Sequence, residues 1–280
     1  MQFAQSFGQF LLKPILSTFI GAEKLQWFET IDWQQESDRF RQAHLTYPHY
    51  YSSQNFHGIT GGYLNAIAAI TYDAVTAFAS PPSEIWIRQQ LIQAIAGQPT
   101  RILDLGCGTG STTAMLKQAF PQAEVIGLDL SPYMLVMADH KAQQAKLNIT
   151  WQQGLAEETG LAANTFDLIT AAFLFHEMPP QVSQLVLQEC FRLLQPGGQL
   201  LILDGDQPKL RRADWLITLF REPYSKVYAA ESVDDWLKLA QFEAIATKSV
   251  GWISQLTSGG KPAASQQEGT TPIQELGQRY

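Results

Sequence analysis

Gly106, Gly108 and Gly110 alternate through the stretch RILDLGCGTGS, residues 101–111. Glycines spaced in this way bare the backbone, so a ligand can approach main-chain N–H groups with no Cβ in the way. Asp104 stands two residues before the first of them. Asp129 follows the turn by roughly 20 residues, the distance at which an acidic side chain hydrogen-bonds ribose hydroxyls. A nucleotide-like guest is the natural one. A dinucleotide pyrophosphate needs a helix N-terminus free of competing negative charge. Here the chain enters the turn through Asp104, and a carboxylate suits a ligand carrying an ammonium or sulfonium group.

Proton chemistry would need a group that titrates near neutrality, and histidine is the usual one. His176, in FLFHEMPP, and His57, in YPHYYSSQNFHGITGGYLN (47–65), are the two candidates; His44, His49 and His140 lack comparable context. His176 is either a base or a structural histidine of the loop before Pro179, with Glu177 beside it to pair with. Around His57, the rings of Tyr50, Tyr51 and Tyr63 gather with Tyr47 and Phe56 near Gly58, Gly61 and Gly62. Aromatic faces suit a sulfonium and a flat or lipophilic acceptor, and they equally suit a packing seam.

The elements that must hold these residues alternate. RILDL (101–105), EVIGLDL (124–130), NITWQQG (148–154), FDLITAAFLF (166–175) and QLLILDGD (199–206) read as strands. TTAMLKQAF (112–120), SPYMLVMADHKAQQAK (131–146) and QVSQLVLQECFRLL (181–194) read as helices. Ser131 caps the second of these and Pro132 takes its first position. This alternation predicts an α/β fold with a mostly parallel sheet covered by helices on both faces. Ligands bind such sheets outside the carboxyl ends of the strands, where the glycines and Asp129 fall. Gly110 serves either the ligand or helix–strand packing. Cys107 reads as a small turn residue, and Met137 as core.

In this order the motifs resemble the class I S-adenosylmethionine-dependent methyltransferases, in the branch that includes the ubiquinone/menaquinone-type and other small-molecule enzymes. LDLGCGTG (103–110) is similar to the family's first motif and VIGLDLSPYMLVMA (125–138) to its second. TWQQGLAEETGLAANTFDLITAAFLFHEMP (150–179) is similar to the motifs of strands three and four, and RLLQPGGQLLILD (192–204) to the block before strand five. The resemblance covers about residues 99–206 and fades towards 254. It implies a Rossmann-like sheet of seven strands, the last antiparallel, with EAIATKSVG (243–251) and WISQLTS (252–258) as the closing pair after the helix SVDDWLKLA (232–240). It also implies S-adenosylmethionine as cofactor, S-adenosylhomocysteine as product, and roles for individual residues. Gly106, Cys107 and Gly108 border the methionine part, with Asp104 near its amino group. Asp129 takes the ribose hydroxyls. Leu130 and Met134 flank the adenine, with Leu155 and Ala156 at its edge. Ala172 and Phe173 border the methionine side and the acceptor. Many relatives carry an acid where Leu155 stands; leucine cannot accept from the adenine amine, which leaves that task to backbone groups.

On this reading residues 1–96 form a helical lid, 97–257 the methyltransferase domain and 258–280 a flexible tail. The enzyme would methylate a small, apolar or aromatic acceptor held near Tyr50, Tyr51, Tyr63, His57 and His176. The alternative is a non-catalytic, methyltransferase-like subunit that binds the cofactor or regulates a partner. The 280 residues carry a net charge of −7, which disfavours nucleic acid as partner. Cys107 and Cys190 are the only cysteines, giving no disulfide framework, no metal cluster and a reducing, cytoplasmic expectation. No stretch is apolar enough for an integral membrane segment. The opening residues, MQFAQSFGQFLLKPILSTFI, have helical spacing with a break at Pro14 and a single basic residue, Lys13. Packing on the protein body is therefore favoured over peripheral membrane contact.

Overall fold

A computed structural model describes residues 22–79, 83–213, 215 and 222–263. The helix expected near the N-terminus, and the tail from residue 264 onwards, lie outside the described residues. Helices α1 (Ala22–Thr30), α2 (Trp33–Asp38), α3 (His49–Ser52), α4 (Ala66–Ala79) and α5 (Glu84–Gln93) precede the sheet. The alternation follows: β1 (Arg101–Leu105), α6 (Ser111–Ala119), β2 (Glu124–Asp129), α7 (Pro132–Gln144), β3 (Thr150–Gln153), β4 (Phe166–Ala172), α8 (Pro180–Leu193), β5 (Leu194–Gly205), α9 (Gln207–Arg212), α10 (Ser225–Ala230), α11 (Val233–Leu239), β6 (Glu243–Val250) and β7 (Ser254–Gly260).

The seven strands form one sheet in the order β3-β2-β1-β4-β5-β7-β6. Strands β1 to β5 pair in parallel, and β7 runs antiparallel between β5 and β6. Both faces of the central strands β1, β2, β4 and β5 are covered, as their apolar runs require. Ile102, Leu168 and Leu201 pack with Ile87 and Leu116 on one face. Leu103, Leu105 and Ile169 pack with Val186, Leu187 and Phe175 on the other. The predicted seventh strand is present in the predicted direction and runs to Gly260, two residues further than its sequence pattern suggested.

Strand four stops at Ala172, three residues short of its predicted end. Phe173 takes φ +60°, and Phe175–Glu177 coil into a 3₁₀ turn. The turn drives Phe175 into the core, wholly buried, and presents His176 and Glu177 at the carboxyl edge of the sheet. Ser131 caps α7 as expected, accepting from Met134 N at 3.3 Å. Its hydroxyl also donates to Tyr63 O at 2.6 Å, so the cap ties the N-terminal region to the sheet.

Gly110 belongs to packing. It sits at φ +76°, and a Cβ there would meet Trp151 Cη2 at 2.7 Å and the Ala138 Cβ at 2.9 Å. Gly110→Val is expected to destabilise the fold by about 2–4 kcal/mol, through overpacking and the left-handed backbone together. The midpoint of urea unfolding measures this; an unchanged midpoint would reassign Gly110 to the ligand.

Candidate functional site

A cavity opens at the carboxyl ends of β1, β2, β3 and β4, with about 660 Å³ of empty space counting its mouth. Its floor is the turn after β1. Gly106 and Gly108, at φ +61° and +53°, hold conformations that side chains disfavour. Asp129 closes one wall from the tip of β2. Its Oδ2 accepts from Gly108 N and its Oδ1 from Ser131 N, both at 2.8 Å. Burial raises its pKa, the two backbone bonds lower it, and the result is about 6. Each oxygen keeps a further lone pair. Leu128, Leu130, Met134, Gly154 and Ala156 make a narrow apolar slot beside it.

The N-terminal region supplies the opposite wall. Tyr50, Tyr51, Tyr63 and Tyr72 all line the cavity. Tyr50 is fixed by donating to Glu157 Oε1 at 2.7 Å and by accepting from Tyr224 Oη, at 3.0 Å, through its carbonyl. Gln42 donates to Gln153 Oε1 at 2.7 Å through its backbone and to Gln153 O at 2.6 Å through its side chain. Lys141, on α7, donates to Asp73 on α4 at 3.1 Å and to Ser111 on α6 at 2.8 Å. Residues on both sides of segment 47–65, and Tyr50 and Tyr63 within it, are thus tied to the carboxyl edge of the sheet.

The residues singled out from sequence divide. Gly106, Gly108, Asp129, Leu130, Met134, Ala156, Phe173, Tyr50, Tyr51 and Tyr63 share the one cavity. Asp104 does not reach it. Asp104 faces the other side of β1, buried, and accepts from Thr113 Oγ1 at 2.6 Å and Thr170 Oγ1 at 2.7 Å. Cys107 is buried too, and its N–H is taken by Leu128 O at 3.0 Å. Leu155 and Ala172 are absent from the wall, while Glu157 joins it. Tyr72, Glu157 and Leu174 were not anticipated. Glu157 stands two residues beyond Leu155 in a loop with no helical or strand period to orient it.

His57 and His176 come together, behind the wall rather than in it. His176 Nδ1 lies 2.6 Å from Asp204 Oδ1 at the tip of β5, and Phe175 N donates to Asp204 Oδ2 at 2.8 Å. His57 takes φ 53°, ψ 24°, a strained conformation for a side-chain residue. Glu177, which does line the cavity, accepts a short hydrogen bond from Tyr63 Oη. Glu222, from the segment before α10, stands opposite; neither the spacing nor the composition of that segment marks it. Burial lowers the pKa of both imidazoles. The carboxylates outweigh it: Glu177 and Glu222 raise His57, while Asp204 and Glu222 raise His176 well above the usual histidine range. Burial raises Glu222, but the two imidazoles bring it to about 2.

Residues 102–198 match a family described as a methyltransferase domain. The demethylmenaquinone methyltransferase of Thermus thermophilus is 35% identical over 138 residues, 49% of this chain and 62% of that protein. The ubiquinone/menaquinone biosynthesis C-methyltransferase UbiE of Syntrophotalea carbinolica is 43% identical over 115 residues, 41% of this chain and 47% of that one. The chain thus spans about half to three-fifths of the length of these relatives. Among solved structures, the Haemonchus contortus phosphoethanolamine N-methyltransferase 2 in complex with S-adenosyl-L-methionine shares the fold, with a TM-score of 0.58 at 14% identity, over 79% of this chain and 61% of that one. A SAM-dependent methyltransferase from Aquifex aeolicus does so with a TM-score of 0.52 at 22% identity, over 65% and 95%.

Proposed function

We propose that the class I S-adenosylmethionine-dependent methyltransferase domain of this chain transfers a methyl group to a small apolar or aromatic acceptor, of the reduced demethylmenaquinone type. The observation that carries this reading is the sharing of one cavity by Asp129, the bare glycine turn and four tyrosines. The wall fits the cofactor. Asp129 is a buried carboxylate with lone pairs to spare for two ribose hydroxyls. The slot between Met134, Leu130 and Ala156 is flat and apolar, as a purine requires. Gly106 and Gly108 let the methionyl part lie against the backbone. Among the described residues no group of side chains is arranged to hold a metal ion.

When bound, the cofactor supplies an electrophilic methyl on a sulfonium, and the protein supplies alignment and dryness. Tyr51, Tyr63 and Tyr72 line the cavity with aromatic rings, which attract a cation. Phe173, held at φ +60° with its N–H on Leu203 O at 2.7 Å, is part of the cavity wall. The segment bearing Tyr50, Tyr51, Tyr63 and Tyr72 lines the cavity from the N-terminal side and would act as its cover, and a covered cavity favours a small molecule over a chain. No described helix is long and apolar enough to cross a membrane. Both cysteines are buried free thiols, which suits a reducing, cytoplasmic setting. Methyl-labelled S-adenosylmethionine, incubated with the protein and a chemically reduced short-chain demethylmenaquinone, is expected to pass label into the organic-soluble product. Label confined to the aqueous phase, with this acceptor and with metabolite extracts alike, would overturn the reading.

A further inference from the structure

Four titratable side chains close a ring beside the β4 end of the cavity. His57 presents Nε2 to Glu177 Oε1 at 3.6 Å and Nδ1 to Glu222 Oε1 at 3.8 Å. His176 presents Nε2 to the same Glu177 oxygen at 3.7 Å and to Glu222 Oε2 at 3.6 Å. Imidazole and carboxylate alternate, and every edge exceeds hydrogen-bond length. Asp204 occupies Nδ1 of His176, so Nε2 can only face the two glutamates. Each imidazole stands between carboxylates that favour its protonated form, and an imidazolium has no lone pair with which to take another proton. A base must have one, and it must face the acceptor. Of the four side chains, Glu177 alone forms part of the cavity wall.

We propose that Glu177, and neither histidine, is the catalytic base, and that the acceptor carries a phenolic or enolic hydroxyl whose proton Glu177 takes. This rests on the methyltransferase reading. The O–H bond breaks and its proton goes to the Glu177 carboxylate. The electron pair enters the acceptor's π-system, whose nucleophilic atom bonds to the methyl carbon, and the pair of the breaking carbon–sulfur bond stays on sulfur. Where that atom is a ring carbon, its hydrogen then returns to the oxygen, so one proton remains on Glu177 in either case. His57 and His176 are positioning residues: from behind the wall they face the Glu177 carboxylate and orient it. Tyr63 pins the carboxylate through its hydroxyl.

The test needs no knowledge of the natural acceptor. With S-adenosylhomocysteine saturating, 1-naphthol should bind the wild-type protein about tenfold or more tightly than naphthalene, because its hydroxyl donates to a carboxylate. Glu177→Gln keeps the shape and an oxygen for Tyr63 but loses the charge. It should cut that preference to about threefold or less while leaving affinity for S-adenosylhomocysteine unchanged. Glu177→Asp, with the charge set one methylene back, should recover part of it. Turnover of reduced demethylmenaquinone should fall about 100-fold in Glu177→Gln and less in His57→Gln. A wild-type protein without the preference, or a Glu177→Gln protein that keeps it, overturns the proposal and leaves the methyltransferase reading standing. A wild-type protein that fails to bind S-adenosylhomocysteine overturns both.

Discussion

Asp129→Ala should weaken S-adenosylmethionine binding by about two to four orders of magnitude. Two hydroxyls donating to one carboxylate are worth about 1.5–3 kcal/mol each. The same carboxylate orients the floor, since Gly108 N and Ser131 N both end on it. Alanine therefore removes the ligand's partners and frees two amides at once. The fold should survive, because the strand ends at this residue and the apolar packing of β2 lies behind it. The sign of the pH effect follows from its raised pKa of about 6. The cofactor needs the ionised form, so binding is strongest above that value and weakens as pH falls through it. At pH 5 about a tenth of the free protein carries the charge, and affinity should be about tenfold below its value at pH 7. Asp129→Asn should flatten this dependence. Titration calorimetry across pH reads all three effects; full affinity in Asp129→Ala would remove the ribose assignment.

Gly106→Val should abolish cofactor binding at a modest cost in stability. A Cβ at this position, with φ +61°, would meet Leu174 Cδ1 at 2.6 Å and its Cδ2 at 3.1 Å. Leu174 is itself part of the cavity wall and its side chain can swing. The intruding methyls then push Leu174 into the space the methionyl part needs. The left-handed backbone costs about 1–2 kcal/mol, so the melting midpoint should drop by several degrees without loss of the cooperative transition. Gly110→Val should do the reverse, losing stability first. A Gly106→Val protein that binds normally, or that has no cooperative transition, would contradict this division between the two glycines.

The centre of the sheet was legible because β1, β2, β4 and β5 are largely buried and read as apolar runs between punctuated helices. The place of Asp129 in the cavity wall was legible because a glycine turn after one strand and an acid at the tip of the next fall at the same edge of a parallel sheet. The placement of Asp104, against Thr113 and Thr170 and outside the cavity wall, was not legible. Successive strand residues point to opposite faces, and Asp104 shares its side of β1 with Ile102, away from Leu103 and Leu105. The motif carries no statement of which side faces the ligand. In the loop after β3, Glu157 and not Leu155 lines the cavity, a choice no strand or helix period indicates. The ring of His57, Glu177, His176 and Glu222 was half legible. The two histidines were visible as candidates. Their chemistry depends on Glu222 and Asp204, brought there by separate segments, and only the assembled geometry shows that carboxylates raise the pKa of both imidazoles.

The most direct measurement is calorimetric titration of the full chain with S-adenosylhomocysteine and, separately, with NADH. A cavity that joins a bare glycine turn, a ribose carboxylate and a tyrosine wall should bind S-adenosylhomocysteine at one site per chain and give no heat with NADH. Binding of NADH, or the absence of S-adenosylhomocysteine binding by a folded protein at pH 7, would contradict the account.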